Sequence, residues 1–216
     1  MTPGTDVQPW QEVLAFWFPE GRSLDTDANT HRDHWAWRMR GGADDAIIAR
    51  FADLTTRAAA GECDHWAGHP EGRLALIIVL DQFSRSLWRD SARAFTQDPA
   101  ALALVRDGLA NGHYTALDTP WFRIVFGLPL GHCEGPDHLA RLDRLIELRS
   151  AVLADAPVRL RPIYQSLVKQ AHDVRQVIAT FGRHPHRNAI LERQSTPAEA
   201  AYIAEGKFPH QRAFEG

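Results

Sequence analysis

The sequence predicts an all-α protein of about nine helices packed in antiparallel pairs. Apolar residues recur at the three- and four-residue spacing of a helix along nearly the whole chain of 216 residues. Prolines and glycines stand where these apolar stretches begin and end, as they do at helix termini. No stretch combines strand-like alternation with the turn residues of a hairpin. We therefore expect more than half of the residues in helices, no sheet, and one right-handed array of helix pairs.

Three helical patterns occupy the N-terminal half. Residues 10–18 carry apolar side chains on one face, and Pro9 can begin the helix. Residues 44–60 form a second amphipathic stretch, which starts with two aspartates and ends before Gly61. Residues 74–90 begin with a run of apolar side chains that a buried strand would also show. The apolar residues that follow keep the helical period, so a largely buried helix is the better interpretation.

The C-terminal half has clearer helix boundaries. An N-cap residue followed by proline marks three helix starts, at Asp98-Pro99, Thr119-Pro120 and Thr196-Pro197. Glu199 completes a capping box at the last of these starts. Pro136 and Pro162 open two longer helices, and the second of them ends at Gly182. The joints between the helices are short, as expected between antiparallel neighbours.

Composition restricts the class of protein. The chain is 44% hydrophobic and 24% charged, with a net charge of −3 and two cysteines, which is typical of a globular protein without a disulfide framework. The apolar runs are too short to cross a membrane, and the N-terminus lacks the basic region of a signal peptide. We expect one domain over residues 1–216, with a core at about 8–205 and a tail at 206–216. We expect it in the cytoplasm, bound to neither membrane nor nucleic acid.

The first candidate site residues follow the long apolar run. Asp81, Arg85 and Arg89 are spaced four residues apart, which places them near one face of the helix. Asp81 needs a partner, because an unpaired buried carboxylate is very costly. One interpretation is an Asp81–Arg85 pair within a structural network. The other is an arginine-lined wall of a ligand site.

The second candidate pair lies in the stretch GLPLGHCEGP, residues 127–136. His132 and Glu134 stand in a loop bounded by glycine and proline, where side chains can point into a cleft. A histidine and a carboxylate could act as a base pair or as two metal ligands. No third ligand stands at helical spacing, so we expect no metal. A histidine that only supports the loop is the competing interpretation.

The third candidate region is locally basic. Residues 159–193 contain seven Lys or Arg residues against two acidic residues. The helix expected at 162–181 has an apolar stripe and an opposite polar row that includes His172, which a solvated face would also show. A local cationic region in a chain of net negative charge favours a small anionic ligand or an acidic peptide over nucleic acid.

The stretch FGRHPHRN, residues 181–188, follows that helix. Gly182 can take the left-handed position after the helix, and Arg183 can meet its negative end. Pro185 prevents the helix from continuing. Helix termination does not account for the three residues that come next, His186, Arg187 and Asn188.

Several stretches taken together resemble a known bacterial family, domain of unknown function 924. They are VLAFWF (13–18), LALIIVLDQFSRSLWR (74–89), AFTQD (94–98), GHCE (131–134) and the long stretch 170–203. The resemblance runs from about residue 10 to residue 205. It implies an all-helical fold similar to the tetratricopeptide-repeat superfamily, and it implies no established activity. The charged and polar residues that match the family pattern are Asp81, Arg85, Arg89, His132, Glu134, His172, Arg183, His186, Arg187 and Asn188.

Two classes of function remain open. In the first, residues 186–188 fold back onto the end of the helix 81–89 and onto the loop 131–134, where arginines hold a small anion and histidines or Glu134 handle protons. Four arginines against two acids, Asp81 and Glu134, would leave room for the anion. The same groups could instead only pin the C-terminal helices to the core. In the second class, the protein is a non-enzymatic helical-repeat scaffold that binds a protein or peptide in its groove. We expect no cofactor in either case.

Overall fold

The computed structural model describes residues 8–209. Helices account for 71% of the residues, and the described range contains no strand. Nine of its α-helices have seven residues or more, and two have four. In chain order they are α1 (Pro9–Trp17), α2 (Ala28–Met39), α3 (Asp44–Ala59), α4 (Pro70–Ile78), α5 (Ser84–Leu87), α6 (Asp98–Ala110), α7 (Pro120–Phe126), α8 (Pro129–His132), α9 (His138–Asp155), α10 (Arg161–Phe181) and α11 (Pro197–Glu205). The all-α prediction is confirmed.

The core forms where the predicted apolar stripes meet. Trp17 of α1 contacts Phe83 edge to face, with 5.7 Å between the ring centroids. Phe83 also contacts Phe51 of α3 at 5.1 Å. These rings belong to one buried apolar cluster that runs from Trp10 to Ile178. Because each fully buried side chain of this kind contributes about 1.5–3 kcal/mol, the stripes predicted from the sequence account for the association of the helices.

The segment predicted as one helix over residues 74–90 is interrupted in the structure. Helix α4 ends at Ile78, a π-helical turn covers Val79–Phe83, and α5 ends at Leu87. A π turn inserts one residue, so it rotates the residues that follow it relative to those before it. Asp81 lies within this turn and is fully buried. The prediction of an uninterrupted helix is wrong here, because apolar periodicity does not report a single inserted residue.

Helices α9 and α10 form a long antiparallel pair. Asp143, near the start of α9, pairs with Arg175 in the second half of α10 at 2.5 Å. Arg149, further along α9, donates to the carbonyl oxygen of Leu167 in the first half of α10 at 2.6 Å. The two contacts run in opposite order along the helices, so the helices run in opposite directions. The wider arrangement of all the helices into a tetratricopeptide-like right-handed array stays a prediction with which the structure is compatible.

The end of α10 and the start of α11 follow the predicted signals, with one exception. Gly182 adopts a left-handed φ of 71° after α10, and Thr196 and Glu199 form the predicted capping box. Arg183 does not cover the negative end of α10. Its guanidinium donates to both carboxylate oxygens of Glu199, at 2.6 and 2.9 Å. The role predicted for Arg183 at the helix end is therefore wrong, because a carboxylate outcompetes helix-end carbonyls as its partner.

Within residues 8–209, no helix has both the length and the apolar character that crossing a membrane requires.

The Arg183–Glu199 contact gives a pH-dependent prediction. The hydrogen bonds from Arg183 and from the Thr196 amide lower the pKa of Glu199 from 4.5 to about 2. Because this folded-state pKa is depressed, the contribution to stability is present above pH 4.5 and is lost as the pH falls through about 2. We expect Glu199→Gln to lower the free energy of unfolding by about 1–3 kcal/mol at neutral pH. Urea denaturation at a series of pH values should show the difference disappearing in acid.

The matched control is Glu205→Gln, which changes an exposed carboxylate at the other end of the same helix. We expect this variant to keep the stability of the unmodified protein. An equal loss in both variants, or a loss that does not change with pH, would contradict the role given to Glu199.

Candidate functional site

A cavity of about 340 Å³ lies beside the buried Asp81 turn. Much of its lining is apolar. Helices α9 and α10 contribute Leu142, Leu145, Leu167, Ala171, Val174 and Val177, and other segments contribute Trp35, Met39, Ala94, Phe95, Leu128 and Ile190. The charged and histidine side chains in the lining are Arg40, Arg85, Arg89, Asp90, His132, Arg149, His184, His186 and Arg187. The lining thus combines an apolar surface with five arginines and a single carboxylate, and arginines are the side chains best suited to pair with carboxylates and phosphates.

Asp81 is the fully buried anion of this region. His132 donates from Nδ1 to the carboxylate at 2.9 Å, and Nη1 of Arg85 lies 3.3 Å from Oδ1. Burial opposes ionisation of Asp81, but the charge of Arg85 and the contact with His132 outweigh it and hold the pKa of Asp81 below its usual range. Since Nδ1 of His132 serves the carboxylate, Nε2 is the ring nitrogen left for other partners. The pair therefore resembles the carboxylate–histidine pairs that orient an imidazole for proton transfer.

Asp98 joins two of the predicted arginines, and it was missed as a site residue. Its Oδ1 accepts from Arg85 at 2.8 Å, and its Oδ2 accepts from Arg187 at 3.2 Å. The sequence predicts Asp98 as the N-cap of α6, but Gln97 takes that position and Asp98 is the first residue of the helix. Helix caps are often displaced by one residue in this way. The sequence around Asp98 indicates a helix start. It contains no local pattern that would indicate the pairing of Asp98 with Arg85 and Arg187.

Phe95 supports the two arginines that Asp98 joins. The guanidinium of Arg187 lies 4.4 Å from the centroid of the Phe95 ring, and that of Arg85 lies 5.6 Å from it. Burial and the charge of Arg85 lower the pKa of Arg187 to about 10, so both arginines stay protonated at neutral pH. The aromatic ring and the carboxylate hold both guanidinium groups in a fixed orientation.

The expected excess of arginines over carboxylates is wrong for this cluster. Arg85 and Arg187 are balanced by Asp81 and Asp98. The other two arginines in the predicted set have carboxylate partners elsewhere: Arg89 pairs with Asp44, and Arg183 pairs with Glu199. The sequence could not assign these partners, because all of them except Asp81 are distant along the chain.

Residues 186–188 have three different environments. Pro185–Arg187 forms a 3-10 turn. Arg187 reaches the end of the 81–89 segment through Asp98, and His186 lines the cavity and contacts the Phe208 ring at 5.3 Å. Asn188 is buried and donates to Ser195 at 3.0 Å. The structure therefore brings His186 and Arg187 to the cavity, together with Arg85 and His132, and it leaves Asn188 inside its own loop.

Glu134 holds the loop after α10 and does not line the cavity. It accepts from the His184 amide at 2.7 Å and from Arg193 at 2.5 Å. Burial opposes ionisation of Glu134, but these hydrogen bonds outweigh it and lower its pKa. Arg193 was missed, because its pairing with Glu134 spans a large sequence separation. Glu134 thus positions the turn that carries His186 and Arg187.

The carbonyl oxygen of Gly131 accepts from two neighbouring imidazoles. His138 approaches it at 3.0 Å and His184 at 3.1 Å, each through Nε2. Burial lowers the pKa of His138 to about 4, and burial together with the nearby cations lowers the pKa of His184 well below 6.5. Both rings are therefore neutral at physiological pH, and they connect the start of α9 and the loop after α10 to the segment that carries His132.

Besides Asp81, Glu134 and Asn188, two further predicted residues lie apart from the cavity lining. His172 is exposed on α10, and Arg183 belongs to the α11 cap. Arg89 does line the cavity, at its more exposed side, while paired with Asp44 of α3. Among residues 8–209, no group of three or more His, Cys, Asp or Glu side chains is placed to hold a metal ion.

Arg149 is a cavity residue that sequence reasoning missed. It is buried on α9 and donates to Leu167 and to the side chain of Gln170. It makes no ion pair with any carboxylate of residues 8–209, and burial lowers its pKa to about 10. The signal was present in the sequence, since Arg149 interrupts the apolar run of residues 148–153. Residue 149 lies outside the basic region 159–193.

The comparison with protein families decides where this fold belongs. Residues 13–207 match the model of the family described as "Bacterial protein of unknown function (DUF924)". The chain belongs to this family. The resemblance drawn from the sequence motifs is therefore confirmed, and the match covers all the elements from α2 to α11 and every residue of the cavity lining except Pro209.

A solved structure has a fold similar to that of this DUF924 protein. The structure described as "Protein of Unknown Function ATU0120 from Agrobacterium tumefaciens" is similar, with a TM-score of 0.65 and 29% sequence identity. The similarity covers 91% of this chain and 97% of the other. Among curated proteins, none matches this chain. The comparisons thus give the family and the fold, and both of the matching descriptions are of proteins of unknown function.

The Asp98 bridge gives a prediction about stability. We expect Asp98→Asn to lower the free energy of unfolding by about 3–5 kcal/mol, because it leaves two adjacent guanidinium groups with one carboxylate. The control is Asp90→Asn, which removes an exposed carboxylate at the cavity edge and should cost less than about 0.5 kcal/mol. Urea denaturation at neutral pH compares the two. Similar values for both variants would contradict the bridging role of Asp98.

Proposed function

We propose that this DUF924 protein binds a small anionic ligand in the cavity between α9, α10 and the 3-10 turn Pro185–Arg187. The observation that carries the proposal is the composition of the lining, in which five arginines meet a single carboxylate. Asp81 and Asp98, which balance two of those arginines, are buried and do not line the cavity. A ligand therefore meets the cations first, with their counter-charges behind them.

Arg85 and Arg187 are oriented for this role before any ligand arrives. Each has a carboxylate on one side and the Phe95 ring beside it. The Nε atom of Arg187 is buried and has no hydrogen-bond partner among residues 8–209. Because these side chains are already ordered, an anion would bind them without a large loss of conformational entropy.

His132 gives the same site a group that can take up a proton. Asp81 holds Nδ1, and the side chain is partly exposed at the cavity lining. A ligand with an acidic proton could give that proton to Nε2, the ring nitrogen that Asp81 does not engage. Proton transfer by His132 is therefore the catalytic step that the site would support.

The scaffold alternative has weaker support. A peptide groove needs a contiguous exposed apolar surface, commonly with aromatic anchors. The large exposed apolar side chains in residues 8–209 are Leu24, Ile48, Leu139 and Val158. They belong to four separate segments and none is aromatic, whereas the arginines and the apolar walls converge on one cavity.

We propose a cytoplasmic protein, because its two cysteines are buried free thiols, which is typical of a reducing compartment. We also propose that the ligand is not a nucleic acid, since the net charge is −3 and the cations face a cavity instead of an extended surface.

Binding of simple anions tests the proposal. Calorimetric titration with phosphate, sulfate and benzoate should show saturable binding of at least one anion. Arg187→Met should weaken that binding by about tenfold or more, because a charged hydrogen bond contributes about 1.5–3 kcal/mol. The control is Arg183→Met, which removes a cation from the same loop but outside the cavity. Absence of binding by every anion, or an equal loss in both variants, would overturn the proposal.

A further inference from the structure

Arg149 lines the cavity without a carboxylate partner among residues 8–209, whereas Arg85, Arg89 and Arg187 each pair with an aspartate. Its residue exposure is 4%, and its hydrogen bonds go only to neutral acceptors, the Leu167 carbonyl and the Gln170 amide. It makes no ion pair within residues 8–209. Burial lowers its pKa to about 10, so it remains protonated at neutral pH. A buried cation without an anion is costly to the fold, and an apolar residue in its place would be less so.

One edge of the Arg149 guanidinium is left without partners. Nη1 makes both hydrogen bonds to α10, and Nε is buried without an acceptor. Nε and Nη2 form the side of the guanidinium that can donate two parallel hydrogen bonds to one carboxylate. Because a single positive charge lacks its match, the complementary group is a monoanion.

Apolar residues continue from this cation along both helices. On α9, Leu145 and Leu142 line the cavity one and two turns before Arg149, a span of about 10 Å along the helix axis. On the antiparallel α10, Ala171 and Val174 line the same cavity beyond the level of Gln170. The cation therefore lies at one end of an apolar strip that two helices build together.

The C-terminal segment lies close to the charged end of this strip. The amide of Gln170, whose oxygen accepts from Arg149, donates to the carbonyl oxygen of Pro209 at 3.4 Å. Pro209 is itself part of the cavity lining. This contact helps to exclude water from the guanidinium, and exclusion of water strengthens its attraction for an anion.

We propose that the cavity binds an amphiphilic monocarboxylate, with its carboxylate on Arg149 and its apolar chain between α9 and α10. This inference rests on the proposed binding of an anion in the same cavity and names the class of ligand. A volume of about 340 Å³ falls at the lower end of the range of about 300–1,000 Å³ typical of small-molecule sites. An inorganic ion would leave the apolar strip unfilled, whereas a single alkyl or small aromatic chain would cover it.

Calorimetric titration of the full chain with acetate, hexanoate and decanoate tests the apolar part of the inference. We expect affinity to rise with chain length by a factor approaching about fourfold per methylene, the value for transfer of one CH₂ from water to an apolar environment. Decanol and decyltrimethylammonium, which have the same chain without a negative head, should bind at least about tenfold more weakly than decanoate.

Variants of Arg149 test the head group. Arg149→Met should reduce decanoate affinity by about tenfold or more without lowering the melting temperature, because the Leu167 carbonyl lies within α10 and keeps its helical hydrogen bond. Arg149→Lys keeps the charge but loses the two-donor edge, so it should retain part of the affinity. The control is Arg144→Met, an exposed arginine of the same helix that pairs with Glu147, which should change neither quantity.

The outcomes separate this inference from the function on which it rests. Equal affinity for acetate and decanoate, or loss of binding in Arg187→Met with none in Arg149→Met, overturns the amphiphile and leaves anion binding in place. Equal affinity for decanol and decanoate also overturns it. If Arg149→Met does not fold, decanoate affinity in Arg149→Lys equal to that of the unmodified protein overturns the head-group assignment. Failure of phosphate, sulfate, benzoate and decanoate alike overturns both proposals.

Discussion

The buried carboxylate of Asp81 is the constraint on which the centre of the molecule depends. An ionised group without access to water must be matched by cations and hydrogen-bond donors. Arg85 and His132 match it, and Arg85 in turn contacts Asp98, which also pairs with Arg187. The π turn, the start of α6, the end of α8 and the turn after α10 are therefore positioned by a single chain of alternating charges.

In this network, carboxylates pair with Arg85 and Arg187, and both arginines still line the cavity. The carboxylates stand behind the arginines, so the fold keeps Arg85 and Arg187 ordered without exposing the acids to the cavity. Glu134 and the Gly131 carbonyl extend the same arrangement by fixing the loop that carries His186 and Arg187. The same arginine side chains thus make polar contacts within the fold on one side and line the cavity on the other.

Arg149 shows by contrast what an incomplete match means. The network around Asp81 satisfies its own charges, so its presence alone does not require a ligand. Arg149 lies at the junction of α9 and α10, and its hydrogen-bond partners among residues 8–209 are neutral. Matched and unmatched guanidinium groups therefore line the same cavity, and the unmatched one is the reason for the class of ligand proposed above.

The sequence by itself determined the helices, because caps, terminal glycines and apolar periodicity act over a few residues. Local sequence was sufficient to predict the end of α10 at Gly182 and the capping box of Thr196 and Glu199. It was also sufficient to predict the apolar stripes of α1, α3 and α10. Motif order was also sufficient to identify the family. Only the tertiary structure decided the partners of the charges: Asp98 with Arg187, Glu134 with Arg193, and Arg149 with no acid in the part of the chain that the structure describes. The pairing of charges depends on distances through space, and residues far apart in sequence carry no local signal of it.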